Sequence, residues 1–289
     1  MSNNEIQVLP SLAKGNIGQQ LLDSGKINTS QAEKILQLQK ESGLRFGEAA
    51  IKLGLITESD IQDVLSQQFE YPYLLSGQST VDESLVAAYS PFDSRVETLR
   101  SLRSQIILRW MENGHKSIAI SSYDSDSASD LLAANLAVVF SQLGERTLFV
   151  DANLRSNSKS NLFGLKNNSG LSDLLAGRTD LSCIQKIADL RDLSVLNSGT
   201  AAPNPQELLS RDAFGQLFQQ LESQFDVVIY ATSKLETAMD AQFIASRTKG
   251  VLLVVQKDKT PVKGLASLKE QFNANKIEII GCVLTESDS

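Results

Sequence analysis

"SIAISSYDSDSASDLLAANLAVVFSQLGERTLFVDANLR", Ser117 to Arg155, decides the fold. "SIAISS" reads as a buried strand, "LLAANLAVVFSQLG" as a helix, and "RTLFVDANLR" as a second strand with its exit loop. The alternation continues to the end of the chain. "LSVLNSG", "FDVVIYAT", "GVLLVVQ" and "IEIIGCVLT" are further strands, with helical stretches around Pro205 to Leu221, Glu236 to Ser246 and Val262 to Asn273. Such alternation predicts an α/β domain, a mostly parallel sheet with helices on both faces. Sites in such sheets lie at the carboxyl ends of the strands.

The chemistry therefore belongs between "SIAISS" and "LLAANLA". A phosphate loop there needs glycines, so that successive backbone N–H groups can wrap the phosphates. It also needs a lysine for the β- and γ-phosphates and a hydroxyl for magnesium. The chain instead reads "YDSDSASD". Counted back from Asn135, Asp126 and Ala128 occupy the glycine positions, Ser129 the lysine position and Asp130 the hydroxyl position. Asp124, Asp126 and Asp130 would face a polyphosphate with carboxylates, each repulsion costing on the order of 1 kcal/mol even when screened. Ser129 or Asp130 is expected instead to cap the following helix.

"AANLAVVFSQLGERTLFVDANLR", "GLSDLLAGRTDL", "SGTAAPNPQELLSRDAF" and "FDVVIYAT" together resemble the bacterial tyrosine kinases associated with exopolysaccharide gene clusters, relatives of the deviant P-loop ATPases. The resemblance runs from about Pro91 to the C-terminus. It implies a metal-orienting aspartate where Ala231 stands, followed by prolines where "SK" stands, and an aspartate in "VDANLR", here Asp151, with Arg155 nearby. Asn153 replaces a second aspartate usual there. The family's C-terminal tyrosine cluster has no counterpart in "CVLTESDS". With donor site, metal site and acceptor all altered, no ATP, magnesium or other cofactor is expected, Asp151 and Arg155 are expected to be remnants, and the chain is expected to be a catalytically inactive relative.

Upstream, "SRVETLRSLRSQIILRW" is helical in pattern, with Val96, Leu99, Leu102, Ile106 and Leu108 forming an apolar stripe. Glu97, Arg100 and Arg103 share nearly one face. Such spacing serves local charge pairing worth about 0.2–0.5 kcal/mol. It also resembles the motif through which subunits of these kinases meet in a ring, which implies a homo- or hetero-oligomer.

An internal repeat lies near the N-terminus. "NIGQQLLDSGKINTSQAEKILQLQ", Asn16 to Gln39, aligns without a gap on "RFGEAAIKLGLITESDIQDVLSQQ", Arg45 to Gln68. Gly18 meets Gly47, Gly25 meets Gly54, Ile27 meets Ile56, Leu36 meets Leu65 and Gln39 meets Gln68, all at an offset of 29 residues. Each unit reads as helix, glycine turn, helix. Gly25 is expected as a C-cap with positive φ, and Thr29 and Thr57 as N-caps. Ile61, Val64, Leu65 and Gln68 share one face of the last helix. The segment resembles the N-terminal domain of type II secretion and pilus ATPases, the class that includes cyclic-di-GMP receptors. That resemblance implies a dinucleotide site at Asn16, Ile17, Gly18 and Gly25 in one motif and Arg45, Phe46, Gly47 and Gly54 in the other. Asn16 stands where the family has arginine, which holds phosphate bidentately.

The expected organisation is thus a helical domain over residues 1–75, a linker over 76–92 and a P-loop NTPase-like domain over 93–289. The 289 residues are 42% hydrophobic, enough for two cores, and carry a net charge of -7. A net acidic chain is a poor non-specific nucleic-acid binder, so no nucleic-acid partner is expected. No signal peptide is visible and the longest apolar runs are far too short to span a bilayer, so a soluble, cytoplasmic protein is expected, reaching the membrane only through a partner. Cys183 and Cys282 match no metal spacing and are expected as buried thiols in a reducing compartment. The partner implied is a polysaccharide copolymerase or chain-length-determinant membrane protein, or an active kinase paralogue. Two other readings stay open: a residual ATP-binding kinase or ATPase, and a purely structural scaffold.

Overall fold

The computed structural model describes residues 17–58, 60–61, 64, 73–155, 161–166, 169–188, 190–235 and 239–286, the side chain of Asp126 excepted. The chain divides into two compact units, Met1–Tyr71 and Pro72–Ser289.

In the first unit α1 spans Ile17–Asp23, α2 Thr29–Ser42 and α3 Phe46–Lys52. The repeat has a structural reason. Gly25 and Gly54 adopt φ of 70° and 66°, a left-handed conformation costly for any residue with a Cβ. Each turn then delivers an isoleucine, Ile27 or Ile56, into one core with Leu21, Ala32, Ile35, Phe46, Ala49, Ala50 and Val64. At Gly47 a Cβ would meet Ile61 Cδ1 at 2.6 Å, so this glycine permits close helix packing. The N-cap of α2 is Asn28, not Thr29. The Asn28 side chain accepts the Gln31 N–H at 2.9 Å while the Gln31 side chain accepts the Asn28 N–H at 2.9 Å, a capping box that closes one residue earlier. Thr57 does cap the helical residues after it, its Oγ1 accepting the Asp60 N–H at 3.2 Å. Leu65 and Gln68 lie outside the described residues.

The second unit begins with α4, Val86–Tyr89, and α5, Ser94–Arg109. It continues with β1 Ser117–Ser122, α6 Asp126–Ser141, β2 Thr147–Asp151, α7 Leu171–Leu175, β3 Gln185–Lys186 and β4 Leu193–Leu196. The remaining elements are α8 Pro205–Ser210, α9 Asp212–Gln224, β5 Val227–Ala231, α10 Asp240–Thr248, β6 Gly250–Gln256, α11 Val262–Ala274 and β7 Glu278–Thr285. The sheet order is β3-β4-β2-β5-β1-β6-β7. Every pairing is parallel except β3 with β4.

Strand alternation sends one set of side chains to each face. Ile118, Ile120, Phe149, Ile229, Leu252 and Val254 join the core beneath α5 and α6. Ala119, Leu148, Val150, Val228, Tyr230, Val251 and Leu253 join the opposite core beneath α9, α10 and α11. Both faces are covered, which is why these strands read as unbroken apolar runs.

Four expectations need correction. Val81, Leu85, Ala87 and Ala88 are buried in the α6-side core, so the second half of the expected linker over 76–92 packs into the second unit, as does Leu74 just before it. Leu108 is 57% exposed, because it stands two residues from buried Ile106 and Trp110 and so lies on the opposite side of α5 from them. Cys282 is exposed on edge strand β7, while Cys183 is buried. The helix around Pro205 to Leu221 is two helices, broken where Arg211 takes an extended ψ of 153°.

Candidate functional site

The site lies where β1, β2 and β5 end side by side. Only Tyr123, Asp124 and Ser125 connect β1 to α6. The helix begins at Asp126, with Ser125 as its N-cap, so Ser129 and Asp130 are helix residues rather than caps. Asp126, Ala128, Ser129 and Asp130 thus occupy the first turns of α6, where a phosphate loop would still be looping. Ser129 is fully buried, its hydroxyl directed to the Thr232 carbonyl at 3.5 Å, and Asp130 is 9% exposed. Asp124 accepts the Thr260 hydroxyl at 3.0 Å, which ties this connection to the β6 exit. The Tyr123 hydroxyl lies 2.2 Å from where a Cβ on Gly264 would stand, so that glycine in the first turn of α11 makes room for the ring.

The β5 exit is tied down as firmly. Ala231, where the resemblance implies a metal-orienting aspartate, is fully buried. The Thr232 hydroxyl meets that of Ser121, and the Thr232 N–H donates to the Ile120 carbonyl at 3.1 Å. Ala152 N–H donates to the Ala231 carbonyl at 2.8 Å and Leu235 N–H to the Ser122 carbonyl at 2.9 Å. A hydroxyl cluster of Ser121, Ser129 and Thr232 therefore fills the junction of strand ends and helix.

At the β2 exit Asp151 accepts the Asn153 N–H at 3.1 Å. Arg155 grips Asp240 at the start of α10 with two nitrogens, the Nη2 bond being 2.9 Å. Asp240 is 1% exposed, and this pair holds the β2 exit to α10. Nearby, Asp173 accepts from Arg178, from the Thr200 N–H at 3.0 Å and hydroxyl at 2.9 Å, and from the Gly170 N–H at 3.0 Å. Burial pushes its carboxyl up, but these donors outweigh burial and leave it below the ordinary carboxylate value.

Ser129 is fully buried and offers no cation, Ala231 offers no carboxylate, and Asp124 and Asp130 place carboxyl groups at and just before the first turns of α6. Lys234, half-buried, is the only basic residue of the "YATSK" stretch, and it lies beyond the lost aspartate position. The hydroxyl cluster and the Asp240 partner escaped the sequence reading. Their sequence separations, 111 residues for Ser121 with Thr232 and 85 for Arg155 with Asp240, leave no local signal.

In the first unit Ile17 is half-buried, Gly18, Phe46 and Gly47 are buried, and Gly25, Gly54 and Arg45 are exposed. Arg45 precedes α3 and its backbone N–H donates to Glu48 at 2.9 Å. Asn16 lies outside the described residues. Asp60 accepts Lys26 Nζ at 2.6 Å and the Thr57 N–H and hydroxyl at 2.8 Å each. Those bonds, Lys26 first, bring its carboxyl down to about 2.

On α5 the three motif residues separate. Glu97 is exposed and pairs with Arg100 on its own helix. Arg103 is 9% exposed and donates to the Val139 carbonyl in the last turn of α6. Helix C-termini carry unpaired carbonyls and partial negative charge, so a buried guanidinium there caps α6.

The parallel sheet, its strand order and its two helical layers define a domain of the P-loop NTPase type. No family model matches the chain. CapB of Staphylococcus aureus is 33% identical over 190 residues, covering 66% of this chain and 83% of CapB. The tyrosine-protein kinase YwqD of Bacillus subtilis (strain 168) is 30% identical over 206 residues, covering 71% and 87%. The kinase domain of the Escherichia coli tyrosine kinase Etk superposes with a TM-score of 0.66 at 30% identity, covering 71% of this chain and 81% of that one. The chain spans only 31% and 28% of two longer relatives. It belongs to the bacterial tyrosine-kinase family. Among the described residues no helix is long and apolar enough to cross a membrane.

Proposed function

We propose that this family member has given up phosphoryl transfer and regulates exopolysaccharide biosynthesis or export by binding. The observation that carries the reading is the β1–α6 connection: helical from Asp126, with a buried serine at the lysine position and carboxylates around it. Calorimetry of the full chain with Mg-ATP, together with an autophosphorylation assay, tests it. Absence of both heat and phosphotyrosine is expected. Micromolar binding with phosphotyrosine would establish instead the residual-kinase reading.

The partner is a polysaccharide copolymerase or chain-length-determinant membrane protein, or an active paralogue, engaged at the inner face of the cytoplasmic membrane. Exposed Glu97, with Arg100 beside it, is the charged element of α5 left for such association. The N-terminal unit senses cyclic-di-GMP, with exposed Arg45 contacting phosphate. Gly25 and Gly54 shape the turns on which that site is built. Titrating the full chain with cyclic-di-GMP tests this, with Arg45→Ala expected to abolish binding. No binding by the unaltered chain at high micromolar ligand favours a scaffold without a small-molecule ligand.

A further inference from the structure

We propose that the cleft between α8, α9 and α10 binds a small amphiphilic anion, an aromatic or short alkyl body carrying one carboxylate or sulfonate. The cleft has a volume of about 550 Å³, within the range of small-molecule pockets. Leu209, Phe218 and Phe243 supply its apolar lining, beside the polar Ser210, Gln219 and Ser246. Arg247 and Lys249, both exposed, stand at one side of it.

Gly215 leaves room for Arg247 in the cleft. Gly215 lies inside α9, where glycine costs about 1 kcal/mol relative to alanine. A Cβ at Gly215 would sit 3.3 Å from Arg247 Nη1 and 3.4 Å from Cζ. The glycine thus lets the guanidinium lie against the α9 backbone, inside the cleft. Among the described residues no carboxylate pairs with Arg247 or Lys249. Glu222 is the one acidic residue of the lining, and its Oε1 accepts the Ser117 hydroxyl at 2.6 Å.

Lys249 also sits at a φ of 62°, where glycine would be relaxed. Two cations with no carboxylate partner among the described residues thus line a cleft that also offers apolar surface, on a chain of net charge -7. That combination selects one anionic head on an apolar body. It owes nothing to the altered phosphate loop at the opposite ends of the strands.

The test is a fluorescence titration of the full chain with 1-anilinonaphthalene-8-sulfonate, run beside its uncharged analogue N-phenyl-1-naphthylamine. One saturable site per chain is expected, binding the sulfonate at least about tenfold more tightly than the neutral dye. Arg247→Glu should weaken the sulfonate at least about tenfold and leave the neutral dye unchanged, and 2-naphthoate should compete. Equal affinity for the two dyes, an unaltered sulfonate affinity in Arg247→Glu, or several equivalent sites would overturn the proposal. Lys249→Gly provides a second reading. It relieves the backbone and should raise the melting temperature while weakening the sulfonate about two- to fivefold.

Discussion

Arg155 reaches across from the β2 exit to Asp240, a carboxylate only 1% exposed at the start of α10. The Arg155 guanidinium is thus held by a carboxylate of α10 while remaining half-exposed itself. Removing the guanidinium leaves a buried charge without its partner, which in a fully buried pair costs roughly 3–5 kcal/mol. Arg155 is 45% exposed, so solvent screening reduces this to about 1–2 kcal/mol. Arg155→Ala should therefore lower the melting temperature by roughly 2–8 °C, with Arg155→Lys intermediate because one ammonium replaces a two-pronged contact. Unchanged melting by calorimetry in Arg155→Ala would remove the structural role assigned to this pair.

Ser129 is fully buried against Thr232. Ser129→Lys would place an ammonium in that junction, and burying a charge with no arranged partner is strongly unfavourable. The variant should lose about 2–4 kcal/mol of stability in urea unfolding, without gaining nucleotide affinity. Wild-type stability together with new ATP binding would mean that the pocket is open.

Much of this was legible in the sequence. Strands β1, β2, β4, β5 and β6 are runs of four to seven residues buried almost throughout, a pattern that burial on both faces requires, whereas edge strand β7 is partly exposed. Gly25 and Gly54 announced their turns because positive φ favours glycine. The start of α6 was not legible, since "SDSASD" offers a cap-competent residue at nearly every position. Nor was the fate of Arg103. Spacing places Glu97, Arg100 and Arg103 on one face but does not say which of them meets α6. The two-residue β3 is too short to leave any periodicity.

That division on α5 separates stability from association. Arg103→Ala leaves the last turn of α6 without its cap and opens a gap beneath α5, and should cost about 1–3 kcal/mol. Glu97→Arg changes an exposed side chain and should leave melting within about 0.5 kcal/mol of the original. It should nevertheless shift the sedimentation profile or the pull-down of a partner. If Glu97→Arg leaves both unaltered, α5 is not a contact surface.

Asp60 yields a prediction with a definite pH window. Hydrogen bonds from Lys26 and Thr57 bring its carboxyl down to about 2 in the folded protein, whereas in the unfolded chain it stays near its ordinary 3.8. A lowered folded value means that the unfolded state takes up its proton first as pH falls. The contribution of Asp60 is therefore fully present above about pH 4 and disappears between about pH 4 and pH 2. A carbon-detected NMR titration of the full chain should place the Asp60 carboxyl near 2. In Lys26→Ala, which removes the largest of the causes, it should move up toward 3.8. An Asp60 titrating near 3.8 in the unaltered protein would show that the Lys26–Asp60 contact, 2.6 Å in the structure, is not held in solution.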